Sequence, residues 1–237
     1  MASNNIPSGK TVIITGANGN LGSAVTTTFL GKGYKVIATV INESMIGELE
    51  AHESLEVVVV NLTDAAETEA FVLNTISKYT QIDAALLLVG GFAMGNIAAT
   101  ETGDIDKQIN LNFKTAFHVI KPLLSHMLAS ENGRIVFIGA RPAIEPKQGK
   151  DLVAYGLSKS LLFKLAEYIN EESKGKNVTA SVVVPSTLDT PLNRKSMPDV
   201  NPEIWVKPQK LAELLEFSVS DVSGILREVV LKAYNNA

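Results

Sequence analysis

Tyr155 and Lys159 stand four residues apart in the stretch Tyr155-Gly156-Leu157-Ser158-Lys159. Four residues is one helical turn, so on a helix the two side chains share a face. A phenol with its ordinary pKa of about 10 is a poor acid-base catalyst at neutral pH. A neighbouring ammonium favours the phenolate and lowers that pKa, and such a pair can exchange a proton with a substrate. An ordinary surface tyrosine and lysine have the same spacing, so the pair alone does not decide the matter.

A second candidate is Thr15-Gly16-Ala17-Asn18-Gly19-Asn20-Leu21-Gly22, which follows a β-branched, apolar run. A nucleotide pyrophosphate needs backbone N–H groups and the positive end of a helix dipole. Glycine lets the backbone turn sharply and come close to phosphates. Gly16, Asn18, Gly19, Asn20, Leu21 and Gly22 are therefore candidate cofactor contacts, although the spacing departs from G-x-G-x-x-G. The competing reading is a tight strand-to-helix turn without a ligand. At the end of the next strand, an acid would favour NAD and a nearby arginine NADP. The residues there are Val40, Ile41 and Asn42, with Glu43 close by, so NAD and NADP both stay open.

Other chemistries are excluded by composition. With no cysteine among 237 residues, disulfides, zinc thiolates and thiol catalysis are out. His52, His118 and His126 are the only histidines; the last two lie eight apart, not the four that pairs metal ligands on a helix. No metal is expected. The charge is 21 − 25 = −4, which gives no general reason to bind nucleic acid or an anionic membrane. Apolar runs such as residues 84–89 fall far below the roughly 20 residues that span a bilayer. Residues 1–10 are polar and lack a signal-peptide core. A soluble, cytoplasmic protein is expected.

The elements that must position these residues follow from periodicity. Apolar residues are 46% and charged residues 19%, enough for a sizeable core. Strands are expected at Thr11–Thr15, Lys35–Val40 and residues 55–60, 84–89, 134–138, 178–184 and 225–231. Helices are expected from Leu21, Val25 and Phe29, over Ala65–Tyr79, over residues 107–129, from Leu157, Leu161, Leu165 and Ile169, and from Pro208 onward. Asn61, Thr63 and Asp64 read as turn or cap residues. Continuously apolar strands are buried on both faces, the mark of a parallel sheet covered by helices. The fold class is α/β: one Rossmann-type, doubly wound sheet of about seven mainly parallel strands, forming a single domain over residues 1–237. Ligands bind such sheets at the carboxyl ends of the strands.

The order of Thr15 to Gly22, Tyr155-x-x-x-Lys159 and Pro185-Ser186-Thr187-Leu188-Asp189-Thr190-Pro191 resembles the short-chain dehydrogenase/reductase family over nearly the whole chain. Within it, the sequence is similar to the dihydropteridine reductase branch. The stretches that carry this are Val89-Gly90-Gly91-Phe92, Gly139-Ala140-Arg141-Pro142-Ala143, and above all Thr187-Leu188-Asp189-Thr190-Pro191-Leu192-Asn193-Arg194-Lys195-Ser196-Met197-Pro198. The resemblance implies strand order 3-2-1-4-5-6-7, a nicotinamide cofactor, and hydride transfer to a small cyclic substrate such as a quinonoid dihydropteridine. It implies that Gly16, Gly19 and Gly22 cradle the pyrophosphate, with Leu62 by the adenine and Gly90 and Gly91 by the ribose. Tyr155 would donate the proton. Lys159 would hold the nicotinamide ribose, and Asn112 would support a water path to it. Pro185, Thr187, Leu188 and Thr190 would border the nicotinamide, and residues 186–207 would cover substrate. A homodimer or homotetramer is implied.

One departure matters. The family places a serine after the fifth strand, where this chain reads Ile138-Gly139-Ala140-Arg141 without a hydroxyl. Three alternatives therefore stay beside the leading one: a reductase of another ketone, imine or quinone, a catalytically silent NAD(P)-binding sensor, and a sugar-nucleotide enzyme on the same fold.

Overall fold

The computed structural model describes residues 9–227 and 230–236. Most of the N-terminal segment on which the signal-peptide reading rests lies outside them. Seven strands form one sheet: β1 (Thr11–Thr15), β2 (Lys35–Val40), β3 (Leu55–Val59), β4 (Ala84–Leu87), β5 (Asn132–Ile138), β6 (Asn177–Pro185) and β7 (Val230–Ala233). Their order is β3-β2-β1-β4-β5-β6-β7 and every pairing is parallel. The helices are α1 (Asn20–Gly31), α2 (Ala65–Tyr79), α3 (Thr102–Ile109), α4 (Thr115–Ala129), α5 (Pro146–Gly149), α6 (Val153–Glu172), α7 (Pro191–Ser196) and α8 (Pro208–Val219).

Each central strand sends alternate residues to two cores. Ile13, Ala85, Leu87, Ile135 and Phe137 face α2, α4 and α6 through Phe71, Val72, Leu123, Leu162 and Ile169. Val12, Ile14, Leu86, Val136 and Ile138 face α1 and α8 through Val25, Phe29, Leu211 and Leu215. Burial on both faces removes the period-two signal and leaves the apolar runs seen in the sequence. Asp64 caps α2 by accepting from Glu67 N–H at 2.9 Å.

Several boundaries differ from expectation: β5 starts two residues early at Asn132, and β6 starts one early at Asn177 and ends one late at Pro185. The third and fourth strands end one and two residues early. After β4, the N–H groups of Leu88 and Val89 turn to Thr15 Oγ1, at 2.9 and 3.4 Å, which takes the chain out of the ladder. The long helix starts at Thr102 rather than residue 107, in polar residues that carry no apolar period. It is also interrupted by a π-helical turn over Asn110–Lys114. The seventh strand lies later than residues 225–231. Asp221–Ile225 is a 3₁₀ turn, residues 228 and 229 lie outside the described residues, and pairing begins at Val230. Apolar character misled there, because Ile225 is 86% exposed. On α6 the helix is as expected and the stripe only in part: Ile169 is buried and Leu165 packs on the core, but Leu157 is 52% exposed, and Ala154, Ser158, Leu162 and Ala166 face inward instead.

Candidate active site

The carboxyl ends of β1, β4, β5 and β6 converge on the residues singled out from sequence. Gly16 leaves β1 with φ +64, a conformation that favours glycine. Its N–H reaches Thr39 Oγ1 at 3.3 Å. Gly22 is required by the protein's own backbone: a Cβ there would lie 2.1 Å from Gly16 O. Gly19 differs. A Cβ on it would meet only Gly16 O, at 3.3 Å, a tight contact that a shift of a few tenths of an ångström would relieve, so packing constrains Gly19 far less than Gly22. It caps α1 without a side-chain bond, no acid occupies the first turn, and the N–H groups of Asn20, Leu21 and Gly22 have no partner among the described residues. Three free donors at the positive end of a twelve-residue helix suit a pyrophosphate.

Asn18 donates to Glu48 Oε2 at 2.9 Å, on the 3₁₀ turn Glu43–Glu48 that follows β2. Leu21 packs on the α1-side core. Leu62 is a core residue whose carbonyl is held by His118 Nδ1 at 3.0 Å, so its backbone N–H is the group it can offer a ligand.

Gly90 and Gly91 sit over Asn112 and Lys159. A Cβ on Gly90 would lie 2.7 Å from Asn112 Oδ1 and 3.0 Å from Lys159 Nζ. Asn112, buried in the π-helical turn, accepts from Gly91 N–H at 2.8 Å and donates to Gly91 O at 3.1 Å. Its amide also contacts Gln108 Oε1 at 2.8 Å and Ser158 Oγ at 3.0 Å, and Ser158 in turn donates to Tyr155 O at 2.8 Å. The Asn112 side chain is thus a brace joining the β4 loop to the first turn of α6.

Tyr155 lies on that turn and Lys159 on the next. Burial pushes the Tyr155 phenol up to about 12 and pulls the Lys159 ammonium down to about 8. The expected lowering of the tyrosine by the lysine is therefore reversed. Lys159 Nζ donates to Ile138 O at 2.9 Å, and desolvation governs both groups. No protein group among the described residues hydrogen-bonds the Tyr155 hydroxyl, whereas its ring meets Phe92 edge-on at 5.2 Å. Phe92 is 62% exposed. Ala140 is buried at the start of a 3₁₀ turn, with no hydroxyl to offer.

Beyond β6, Pro185 closes the strand, Thr187 O accepts from Val206 N–H and Leu188 bridges Val206. Thr190 caps α7, accepting from Asn193 N–H at 3.2 Å, so its oxygen already has a structural role. Sequence reasoning missed Phe92 as a wall of the site and Ser158 as part of the Asn112 brace. It also missed a cluster of Arg141, Glu145 and Tyr234. The four-residue spacing of Arg141 and Glu145 was a visible signal; nothing in the sequence pointed to Tyr234. Among the described residues no group of three metal-ligating side chains occurs, and no helix is long and apolar enough to cross a membrane.

The model of the short chain dehydrogenase family matches residues 10–201, spanning the glycine turn, Tyr155 and Lys159. The chain belongs to that family. It is an NAD(P)-dependent oxidoreductase. It is 27% identical over 237 aligned residues to the 3-oxoacyl-[acyl-carrier-protein] reductase FabG of Thermotoga maritima, covering 94% of this chain and 95% of that one. It is 29% identical to dehydrogenase/reductase SDR family member 6 of Rattus norvegicus, over 77% of this chain and 73% of that one. The structure of NAD+-bound xylitol dehydrogenase superposes with a TM-score of 0.87 at 19% identity, covering 96% and 98% of the two chains. That of ElxO with NADP bound superposes at 0.86 and 20%, covering 94% and 96%. At these identities the superpositions speak to fold. The seven-stranded Rossmann-type sheet expected from the sequence is the one observed.

Proposed function

We propose that the protein reduces a small, flat, cyclic substrate of the quinonoid dihydropteridine class, with Tyr155 as proton donor. The observation that carries this is the wall around Tyr155. Its hydroxyl has no protein partner among the described residues, an exposed aromatic ring stands edge-on beside it, and the position where a serine would orient a carbonyl is a buried alanine. A ring held by stacking has less need of a hydroxyl to orient it. The similarity of residues 187–198 to the dihydropteridine reductase branch supports the same reading.

The residues fit the dinucleotide. Gly19 leaves space that the protein's own packing does not use, the α1 N-terminus offers three donors, and Gly90 and Gly91 present bare backbone above Lys159. When bound, the nicotinamide supplies the hydride. Tyr155, neutral at pH 7, holds its proton at the hydroxyl until negative charge develops on the substrate. Lys159 is fixed by Ile138 O and carries positive charge below about pH 8, one turn from the phenol, where it stabilises the phenolate that forms. Burial makes a resting phenolate costly, so the phenol rests in its proton-donating form. Residues 186–207 cover the substrate from the β6 side.

A second copy of the chain is the partner this reading includes. Leu157 and Phe117 are large, exposed apolar residues on α6 and α4, and Phe117 stacks on Phe113 at 5.9 Å. Such a face suits a helix-to-helix contact. Sedimentation of the full chain should give a dimer or tetramer. The functional test is NADH and NADPH oxidation with quinonoid dihydropterin beside a panel of ketones, imines and quinones. Activity confined to ketones would overturn the substrate class, and no oxidation with any of them would overturn the enzyme.

A further inference from the structure

The residues that follow β7 tie together two segments, Arg141–Glu145 and Glu203–Trp205. On one side, Tyr234 Oη donates to Glu145 Oε1 at 2.9 Å. Arg141 Nε and Nη2 donate to Glu145 Oε2 at 3.2 and 3.1 Å, and the guanidinium lies over the Tyr234 ring at 4.5 Å. On the other side, Asn235 Nδ2 donates to Glu203 O at 3.1 Å and to Trp205 O at 3.0 Å. Ser186 Oγ ties the middle, donating to Tyr234 O at 2.8 Å.

Each anchored segment borders the site. The Arg141–Gly149 stretch is pressed against the first turn of α6. A Cβ on Gly156 would lie 3.0 Å from Pro142 O, and one on Gly149 would lie 2.6 Å from it. Tyr155 precedes Gly156, so this stretch packs on the helical turn that carries the phenol. Glu203 and Trp205 belong to the segment after β6, which is locked to Thr187 and Asp189 through Val206. Asn235 adopts φ +53, a left-handed conformation that asparagine tolerates better than most residues. A cavity of about 410 Å³, lined in part by Trp205, Lys207, Leu211 and Asn235, opens beside this contact. On that side the two hydrogen bonds from Asn235 add to the burial of Trp205 and Val206.

We propose that Tyr234 and Asn235 are positioning residues that clasp the substrate-covering segment to the stretch packed on the Tyr155 turn, so that both sides of the cleft move together and set substrate affinity. The proposal rests on the reading of Tyr155 as the reacting centre and of residues 186–207 as the cover. A strained asparagine and a charge-assisted pair on adjacent residues fit such a clasp, because neither is needed to complete the sheet.

The test uses hydrogen–deuterium exchange and steady-state kinetics on the full chain. Tyr234→Phe keeps the ring under Arg141 and removes one hydroxyl. Asn235→Gly keeps the left-handed backbone and removes the amide. Each bond lost on one side should raise exchange on both, in residues 187–206 and in residues 141–149, by about 5- to 30-fold, the factor one or two net hydrogen bonds represent. With quinonoid dihydropterin, KM should rise roughly 3- to 10-fold with kcat within about twofold, while the NADH dissociation constant holds. Glu145→Gln, which keeps an acceptor for Tyr234, should fall between wild type and Tyr234→Phe. Exchange confined to the side that lost its bond overturns the clasp, as does an unchanged KM in both variants. A wild-type protein that does not turn over the dihydropterin overturns the substrate reading instead, and the exchange pattern then decides the clasp alone.

Discussion

Lys159→Met should make the protein more stable and less active. The lysine is almost fully buried, and its one hydrogen bond goes to Ile138 O. Burial holds its pKa near 8 against an ordinary 10.5. In the unfolded chain the same ammonium is hydrated. At pH 7 both states carry the proton, and the folded state bears the full desolvation cost, about 3 kcal/mol. Between pH 8 and 10.5 the unfolded state binds more protons than the folded one, so the wild-type protein gains stability as pH rises through that window. Methionine removes the charge, keeps most of the stem's volume and forfeits a hydrogen bond worth about 1 kcal/mol. The net expectation at pH 7 is a gain of about 1–2 kcal/mol, or roughly 3–6 °C in Tm for a chain of this size. The gain should shrink toward zero by about pH 10, as the wild-type lysine loses its proton. Urea unfolding of both proteins at pH 7, 8.5 and 10 reads this directly, and NADH oxidation on the same samples should show turnover falling. A variant that is less stable at pH 7, or whose stability difference from wild type does not change with pH, would refute the argument. The lysine would then be a structural donor rather than a charge kept in an unfavourable place for chemistry.

Tyr155→Phe should keep NADH affinity while single-turnover hydride transfer with saturating cofactor falls about 10²-fold, the low end for general acid catalysis; an unchanged rate removes Tyr155 from the reaction. Gly19→Ala, whose Cβ asks only a small shift of Gly16 O, should still fold yet lose most dinucleotide affinity, whereas Gly22→Ala should disrupt the turn itself, because its Cβ would lie 2.1 Å from Gly16 O; circular dichroism with NADH titration separates the two. NADH should be preferred over NADPH, since residues 41–50 hold Glu43, Glu48 and Glu50 and no cation. A doubly charged phosphate roughly 6 Å from one carboxylate in water costs about 1.4 kcal/mol, a tenfold preference that kcat/KM for the two cofactors would report. In the reductive direction, kcat/KM should decline above about pH 8 as Lys159 deprotonates, and Lys159→Met should lack that limb.

What the sequence showed and what it hid divide along a physical line. Strands β1, β2 and β4 to β6 were legible because burial on both faces writes itself as largely apolar runs, the edge strand β3 because Val57, Val58 and Val59 are β-branched, and α2 because its cap and period agree. β7 was misplaced because Ile225 is apolar without being buried, and pairing with Val182–Pro185 sets the strand's described span at Val230–Ala233. The glycine turn and the Tyr155–Lys159 spacing were legible as motifs, but what each residue contributes was not. Gly22 and Gly19 look equivalent in sequence. In space one is demanded by Gly16 O and the other leaves room for a ligand. Asn112 gave no hint that its side chain would grip both backbone groups of Gly91, since that contact spans 21 residues of separation. Tyr155 and Lys159 read as a pair in which the cation tunes the phenol. The fold places both where desolvation dominates, so the phenol is held protonated and the ammonium is held close to losing its proton. Spacing along a helix shows which groups can meet. The dielectric around them decides which form each group takes, and that depends on every element packed against the turn: Ile138 from β5, the Gly90–Gly91 loop from β4 and Asn112 from the π-helical turn.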